Sequence, residues 1–189
     1  MPNFSQVASG LDTEPLRLAL LRQPELFGRH TERTADEASP HHNSADLWLR
    51  FRDHRDKARC ASWAEFAGPH EPIWYEEAAM VPEVRRVVFD VMRIVEAEKL
   101  GGILVTKVPP GGRIERHVDD GWHASVYEKV YVAVQSPAGS KFCFEDGAIE
   151  AKNGDAWWFR NDVPHWVEND TDQDRIAMII CLGFSGIIQ

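Results

Sequence analysis

From Gly102 onward the chain is a series of short β-type runs separated by turn signals, and no other feature restricts the fold as strongly. The runs are Ile103 to Val108, Val126 to Val134, Lys141 to Phe144, Asp155 to Phe159, Val163 to Glu168 and Arg175 to Leu182. Pro109-Pro110-Gly111-Gly112, Pro137-Ala138-Gly139, Asp146-Gly147, Asn153-Gly154 and Asn169-Asp170 separate them. Many short strands broken at such intervals predict a sandwich or barrel, because each strand must bury one face against another sheet.

The first hundred residues read differently. Val84, Val87, Val88, Val91, Ile94 and Val95 recur at three- and four-residue spacing, predicting a helix from Pro82 to Leu100 that Gly101-Gly102 stops. Leu16, Leu20 and Leu21 give Pro15 to Phe27 a helical spacing broken at Pro24, and Ala45 to Phe51 alternates as a half-buried strand would. Thr31 to Ser44, polar and carrying Pro40 and His41-His42, reads as a loop. Helices first and strands after predict an α+β, mainly β fold: a jelly-roll with N-terminal helices packed on one sheet. One domain is expected, residues 1–100 as an extension on the barrel and residues 101–189 as the barrel itself.

Composition excludes several function classes. A hydrophobic share of 43% over 189 residues is enough for a core without disulfides. Cys60, Cys143 and Cys181 show no paired spacing, so reduced thiols in a cytoplasmic protein are expected, with Cys143 and Cys181 as core. The net charge of −9, without a Lys/Arg-rich block, speaks against nucleic acid and anionic lipid as partners. No apolar run is long enough to span a bilayer, and Met1 to Gly10 lacks a signal-peptide pattern.

Chemistry enters with His-x-acid pairs. Three occur: His30-Thr31-Glu32, His54-Arg55-Asp56 and His117-Val118-Asp119. The first borders the polar loop and the second lies in a charged run, Arg50 to Arg59, that reads as a solvated face. The third follows a strand and a Pro-Pro-Gly-Gly turn, where a strand is expected to begin again. On a strand, residues two apart share a face, so His117 and Asp119 can aim at one point. His165, on a later run, supplies a third ligand. Two imidazoles and a carboxylate leave three octahedral positions open, as in non-haem Fe(II) oxygenases.

Arg175 gives the site a second component. It opens an otherwise apolar strand and alternates onto the face of Ala177, Ile179 and Cys181. An inward arginine is costly unless it meets an anion, and guanidinium grips carboxylates bidentately. A structural Asp or Glu partner is the other reading.

Taken together, His117-Val118-Asp119, His165 and Arg175 resemble the Fe(II)/2-oxoglutarate-dependent dioxygenases. The run Gly154-Asp155-Ala156-Trp157-Trp158-Phe159-Arg160-Asn161…His165…Asn169…Arg175 looks most like the aspartyl/asparaginyl β-hydroxylase group. The resemblance implies a double-stranded β-helix and Fe(II) held by His117, Asp119 and His165. It also implies 2-oxoglutarate gripped by Arg175, O2 as oxidant, and hydroxylation of an unactivated C–H bond. The substrate would be an amino acid, a peptide side chain or a small carboxylated metabolite. Some members lack the carboxylate ligand, whereas Asp119 completes the triad here. The group's Arg-x-His strand is Lys129-Val130-Tyr131 in this chain, which carries Tyr131 to 2-oxoglutarate and Lys129 to substrate or co-substrate. Arg50, Arg113 and Lys129 are candidates for a substrate carboxylate. Trp122, His123, Trp157, Trp158 and Trp166 are candidate pocket aromatics, with barrel core as the alternative. Gly112, His117, His123, Glu128, His165 and Asn169 also make a loose cupin-like set, which would need no 2-oxoglutarate and gives Arg175 no task. A non-enzymatic binding jelly-roll is the third class.

Overall fold

In the computed structural model, which describes residues 2–185, the β-runs form two antiparallel sheets. Residues 186–189 of the expected barrel segment lie outside that range. The first half of the chain holds β1 (Phe4–Ala8), α1 (Glu14–Arg22), β2 (Ala45–Phe51), α2 (Trp63–Phe66), β3 (Ile73–Trp74), α3 (Glu77–Met80) and α4 (Glu83–Val95). Next come β4 (Lys99–Val108), β5 (Arg113–His117), α5 (Gly121–Val126), β6 (Glu128–Gln135) and β7 (Ser140–Phe144). The chain continues through β8 (Gly147–Ile149), β9 (Ala156–Phe159), β10 (His165–Asn169) and β11 (Arg175–Gly183). The large sheet has the order β1-β9-β6-β11-β4-β2-β3 and the small one β5-β10-β7-β8. This is the expected jelly-roll.

Strand alternation builds two cores on opposite faces of the large sheet. Val130, Val132, Ile176, Met178 and Ile180 face outward and pack with Leu16, Leu20, Val84, Val88 and Val91 of α1 and α4. Each buried valine on α4 contributes about 1.5–3 kcal/mol. Tyr131, Ala133 and Ala177 point the other way and meet Phe142, Phe159 and Val167 between the sheets. Cys143 and Cys181 are buried, unpaired thiols, as expected.

Several boundaries differ from the sequence expectation. The helix of residues 82–100 ends at Val95, where Glu96 takes the left-handed conformation (φ 57°) and closes it. Lys99 and Leu100 belong to β4 instead, paired with Gly183 and Leu182. Non-local pairing outweighs the local helical periodicity there. Gly101-Gly102 therefore does not stop a helix. A Cβ on Gly101 would lie 3.0 Å from both Cys181 Cβ and the Tyr127 ring, so the glycine permits close approach. Gly101→Ala is expected to lower stability by about 1–3 kcal/mol through overpacking, read from a urea midpoint with unchanged slope. β2 is buried on both faces rather than one, with Asp46 and Trp48 inside as well as Leu47 and Leu49. β1, β8 and α5 have no counterpart among the expected elements. The first hundred residues are also more than an extension, because β1, β2 and β3 are strands of the large sheet. Among the described residues, no helix is long and apolar enough to cross a membrane.

Candidate metal centre

β5 and β10 run antiparallel with His117 directly opposite His165, which brings their rings to 4.4 Å between centroids. His117 ends its strand instead of opening it, and Asp119 lies just beyond. The Asp119 N–H donates to Asn161 O at 3.0 Å, which turns its carboxylate back toward the two rings. His117 Nδ1 lies 2.7 Å from Glu115 O, and His165 Nδ1 lies 2.9 Å from Val163 O. A carbonyl only accepts, so both Nδ1 atoms carry the proton and both Nε2 lone pairs are free. Those lone pairs face the carboxylate, His117 Nε2 at 3.8 Å from Oδ1 and His165 Nε2 at 3.7 Å from Oδ2.

The electrostatics favour ligation. Burial pushes both imidazoles below their usual pKa despite the opposing pull of Asp119, so they are neutral lone-pair donors. Burial alone would raise the Asp119 pKa, but the hydrogen-bonded Lys129 beside it holds it down at about 2. Lys129 Nζ donates to Asp119 Oδ2 at 2.6 Å, and Phe142, Phe144 and Phe159 surround the His165 ring. One donor atom from each of the three residues lies within 4.8 Å of the others. A divalent ion with bonds of about 2.1 Å sets adjacent donors about 3 Å apart, so the donors need to draw together by up to about 2 Å. Two nitrogens and one carboxylate suit Fe(II) and leave open coordination positions.

Arg175 stands on the same interior. It is 2% exposed, and its guanidinium has no ion pair or hydrogen bond to the described residues, which leaves the structural-partner reading without a carboxylate. Its nearest aromatic is Tyr131, with Cζ 5.1 Å from the ring centroid. A cavity of about 70 Å³ joins Arg175, Tyr131 and Thr106 to His117, Asp119 and His165. A buried cation lining the same cavity as the His117, Asp119 and His165 side chains calls for an anionic ligand.

The comparisons with known proteins agree with this geometry. The Aspartyl/Asparaginyl beta-hydroxylase family matches residues 28–182, most of the chain. The chain belongs to this family. Its reaction class is therefore Fe(II)- and 2-oxoglutarate-dependent dioxygenation, with O2 as oxidant. Solved structures share the fold. A prolyl hydroxylase from Trichoplax adhaerens, in complex with a hypoxia inducible factor degradation-domain peptide, superposes with TM-score 0.61 at 13% identity, covering 96% of this chain and 83% of that one. The viral collagen prolyl hydroxylase of Paramecium Bursaria Chlorella virus-1, in a 2OG complex, gives 0.53 at 12% identity and covers 96% of both chains. A Pseudomonas putida prolyl-4-hydroxylase gives 0.50 at 14% identity over 97% of this chain and 94% of that one. No curated protein matches by sequence.

Within this family member, the remaining candidates lie in different places. Lys129 and Tyr131 line the cavity, from adjacent inward positions of β6. Arg50 turns away to the carbonyls of Leu100 and Gly101 and onto Trp74. Arg113 is exposed and pairs with Asp170 at 3.1 Å, and Trp122 packs on His70 and Tyr127, so neither reaches the cavity. Trp158 and Trp166 donate to Glu128 and Glu168. The cupin-like set is not assembled: His123 Nε2 accepts the Gly102 N–H, and Glu128 holds Trp158. Asn169 is wholly buried, and its amide donates to Val108 O at 3.0 Å and Gln173 O at 2.8 Å, fixing the turn into β11 just before Arg175. Asn169→Ala removes these buried hydrogen bonds and is expected to cost about 1–3 kcal/mol in equilibrium unfolding.

Sequence reasoning missed a further set. Arg33 and His41, from the polar loop, line both the cavity and a wider groove of about 600 Å³ that opens from it. Trp48, Phe51 and Trp63 form an apolar wall of that groove. The loop's composition carried no signal for Arg33. The charged Asp46 inside a buried strand was the one available hint.

Proposed function

We propose that this protein hydroxylates an unactivated C–H bond of an amino acid, a peptide side chain or a small carboxylated metabolite. His117, Asp119 and His165 would hold the iron, and Arg175 the distal carboxylate of 2-oxoglutarate. The observation that carries this reading is the buried, unpartnered Arg175 guanidinium sharing a narrow cavity with the three ligand side chains.

Each residue has a defined task. The carbonyls of Glu115 in β5 and of Val163 just before β10 fix the imidazole tautomers, presenting Nε2 inward. Lys129 takes one carboxylate oxygen of Asp119 and so orients the other. Arg175 matches a carboxylate with two parallel N–H donors, and Tyr131 beneath it limits where that carboxylate can sit. Phe142, Phe159, Val167 and Ile179 keep water from the interior. Iron with 2-oxoglutarate and O2 supplies the oxidising power: one oxygen atom goes to the substrate C–H bond, the other to succinate, with loss of CO2.

The test is succinate formation over amino acids, peptides and small carboxylic acids. The expected result is a substrate-stimulated rate that needs both Fe(II) and 2-oxoglutarate, with a product heavier by one oxygen atom. Product formation without 2-oxoglutarate would overturn the reading in favour of cupin-type chemistry.

A further inference from the structure

The cavity and the groove meet at a small group of shared residues, and two of them are cationic: Arg33 and Lys129. Lys129 is engaged with Asp119. Arg33 is not comparably satisfied. Its Nη2 lies 2.7 Å from the ring of His41, and a guanidinium only donates, so the contact is a hydrogen bond to an imidazole lone pair and not to an anion. Its Nε stands 3.6 Å from Asp46 Oδ2, beyond a good hydrogen bond. No other side chain among the described residues takes its remaining N–H groups.

Asp46 supports Arg33 from behind. Its side chain is fully buried, with Oδ1 accepting the Thr106 hydroxyl at 2.9 Å and Oδ2 lacking a hydrogen bond. Burial raises its pKa, against the pull of Arg33 and Thr106. The loop that carries Arg33 is itself fastened to the metal-bearing strand: Pro40 O accepts the Glu115 N–H at 2.8 Å, and His41 packs edge-on against His117 at 4.7 Å. Arg33 is thus held at a fixed place, one step outward from the iron ligands. Of the acids lining the groove, Glu32 pairs with Lys57, Asp119 with Lys129, and Asp36 accepts the Ala38 N–H, while Asp120 is exposed. Beyond Arg33 the groove wall is apolar and aromatic, formed by Trp48, Phe51, Trp63 and Leu104.

We infer that Arg33, braced by Asp46, receives a carboxylate of the prime substrate, whose apolar or aromatic body lies along the Trp48–Phe51–Trp63 wall. This rests on the oxygenase reading of the centre and narrows its substrate class to hydrophobic carboxylates. Arg33 is a substrate-binding residue in this arrangement, and Asp46 is a positioning residue.

The test pairs N-acetyl-L-leucine, N-acetyl-L-phenylalanine, phenylacetate and octanoate with their primary amides. Binding to the Fe(II)- and 2-oxoglutarate-loaded protein is followed anaerobically by tryptophan fluorescence, which Trp48 and Trp63 report. At least one carboxylate is expected to saturate about tenfold or more below its amide, the effect of a charge-assisted pair. Arg33→Met should erase that difference and Arg33→Lys retain part of it. Asp46→Asn, which keeps a partner for Thr106, should raise the half-saturation concentration without changing the amplitude. Equal binding of acids and amides, no saturation by any of them, or an undiminished preference in Arg33→Met would overturn the inference. The visible band of the iron–2-oxoglutarate chelate separates the two levels. If wild type forms it and shows no carboxylate preference, only the inference fails; if wild type forms none, the oxygenase reading fails.

Discussion

Arg175→Met is expected to weaken 2-oxoglutarate binding by orders of magnitude without lowering stability. Two charge-assisted hydrogen bonds to one carboxylate are worth about 3–5 kcal/mol together, a loss on the order of 10²- to 10⁴-fold in Kd. Stability should move the other way. In the ligand-free protein Arg175 is a buried cation without an anionic partner among the described residues, and methionine of similar length removes that burden. Calorimetric titration of 2-oxoglutarate into Mn(II)-loaded protein, beside a thermal melt of the metal-free form, reads both effects. A structural arginine would behave oppositely, with a lower melting temperature and retained 2-oxoglutarate affinity.

Asp119→Ala is expected to lower divalent-metal affinity by more than about 100-fold, exceeding the loss typical of partners that only support a ligand. The carboxylate is the only anion of the triad, and it faces both Nε2 atoms. Its removal also leaves the Lys129 ammonium beside two imidazoles and next to the place of the ion. That second effect gives the substitution a distinctive partner. Lys129→Met in the Asp119→Ala background should recover folding stability but not metal affinity, because it removes a stranded charge and adds no ligand. Competition against a chromophoric chelator, with thermal unfolding of the same proteins, checks this. Near-normal metal affinity in Asp119→Ala would remove Asp119 from the ligand set.

Much of the fold is legible in the sequence because sheet formation leaves a local record. Arg175 opens an otherwise apolar run, so two-residue periodicity places it on the face of Ala177 and Ile179, whereas Tyr131 is assigned only by the family resemblance; both line the interior. What the sequence hides is decided by distant partners. Lys99 and Leu100 continue a helical pattern yet pair with Gly183 and Leu182, and nothing near them in sequence records that competition. β1 shows no apolar alternation and is a strand because β9 offers it an edge. The site divides in the same way. His117, Asp119, His165 and Arg175 lie on or beside strands of recognisable pattern, so their convergence is readable. Arg33 lies in a polar loop, and only the fold brings it to Asp46 and His41. Arg50 and Arg113 are candidates by residue type alone, and each has a carbonyl or carboxylate partner away from the cavity.

The most direct measurement of the central claim is an anaerobic visible titration of Fe(II)-loaded protein with 2-oxoglutarate. The expected result is a weak metal-to-ligand charge-transfer band that saturates in wild type. The band should be absent in His165→Ala and Asp119→Ala, and shifted to far higher 2-oxoglutarate concentration in Arg175→Met. A metal-loaded wild type without the band, or a band that Arg175→Met leaves unchanged, would contradict a single site built from His117, Asp119, His165 and Arg175.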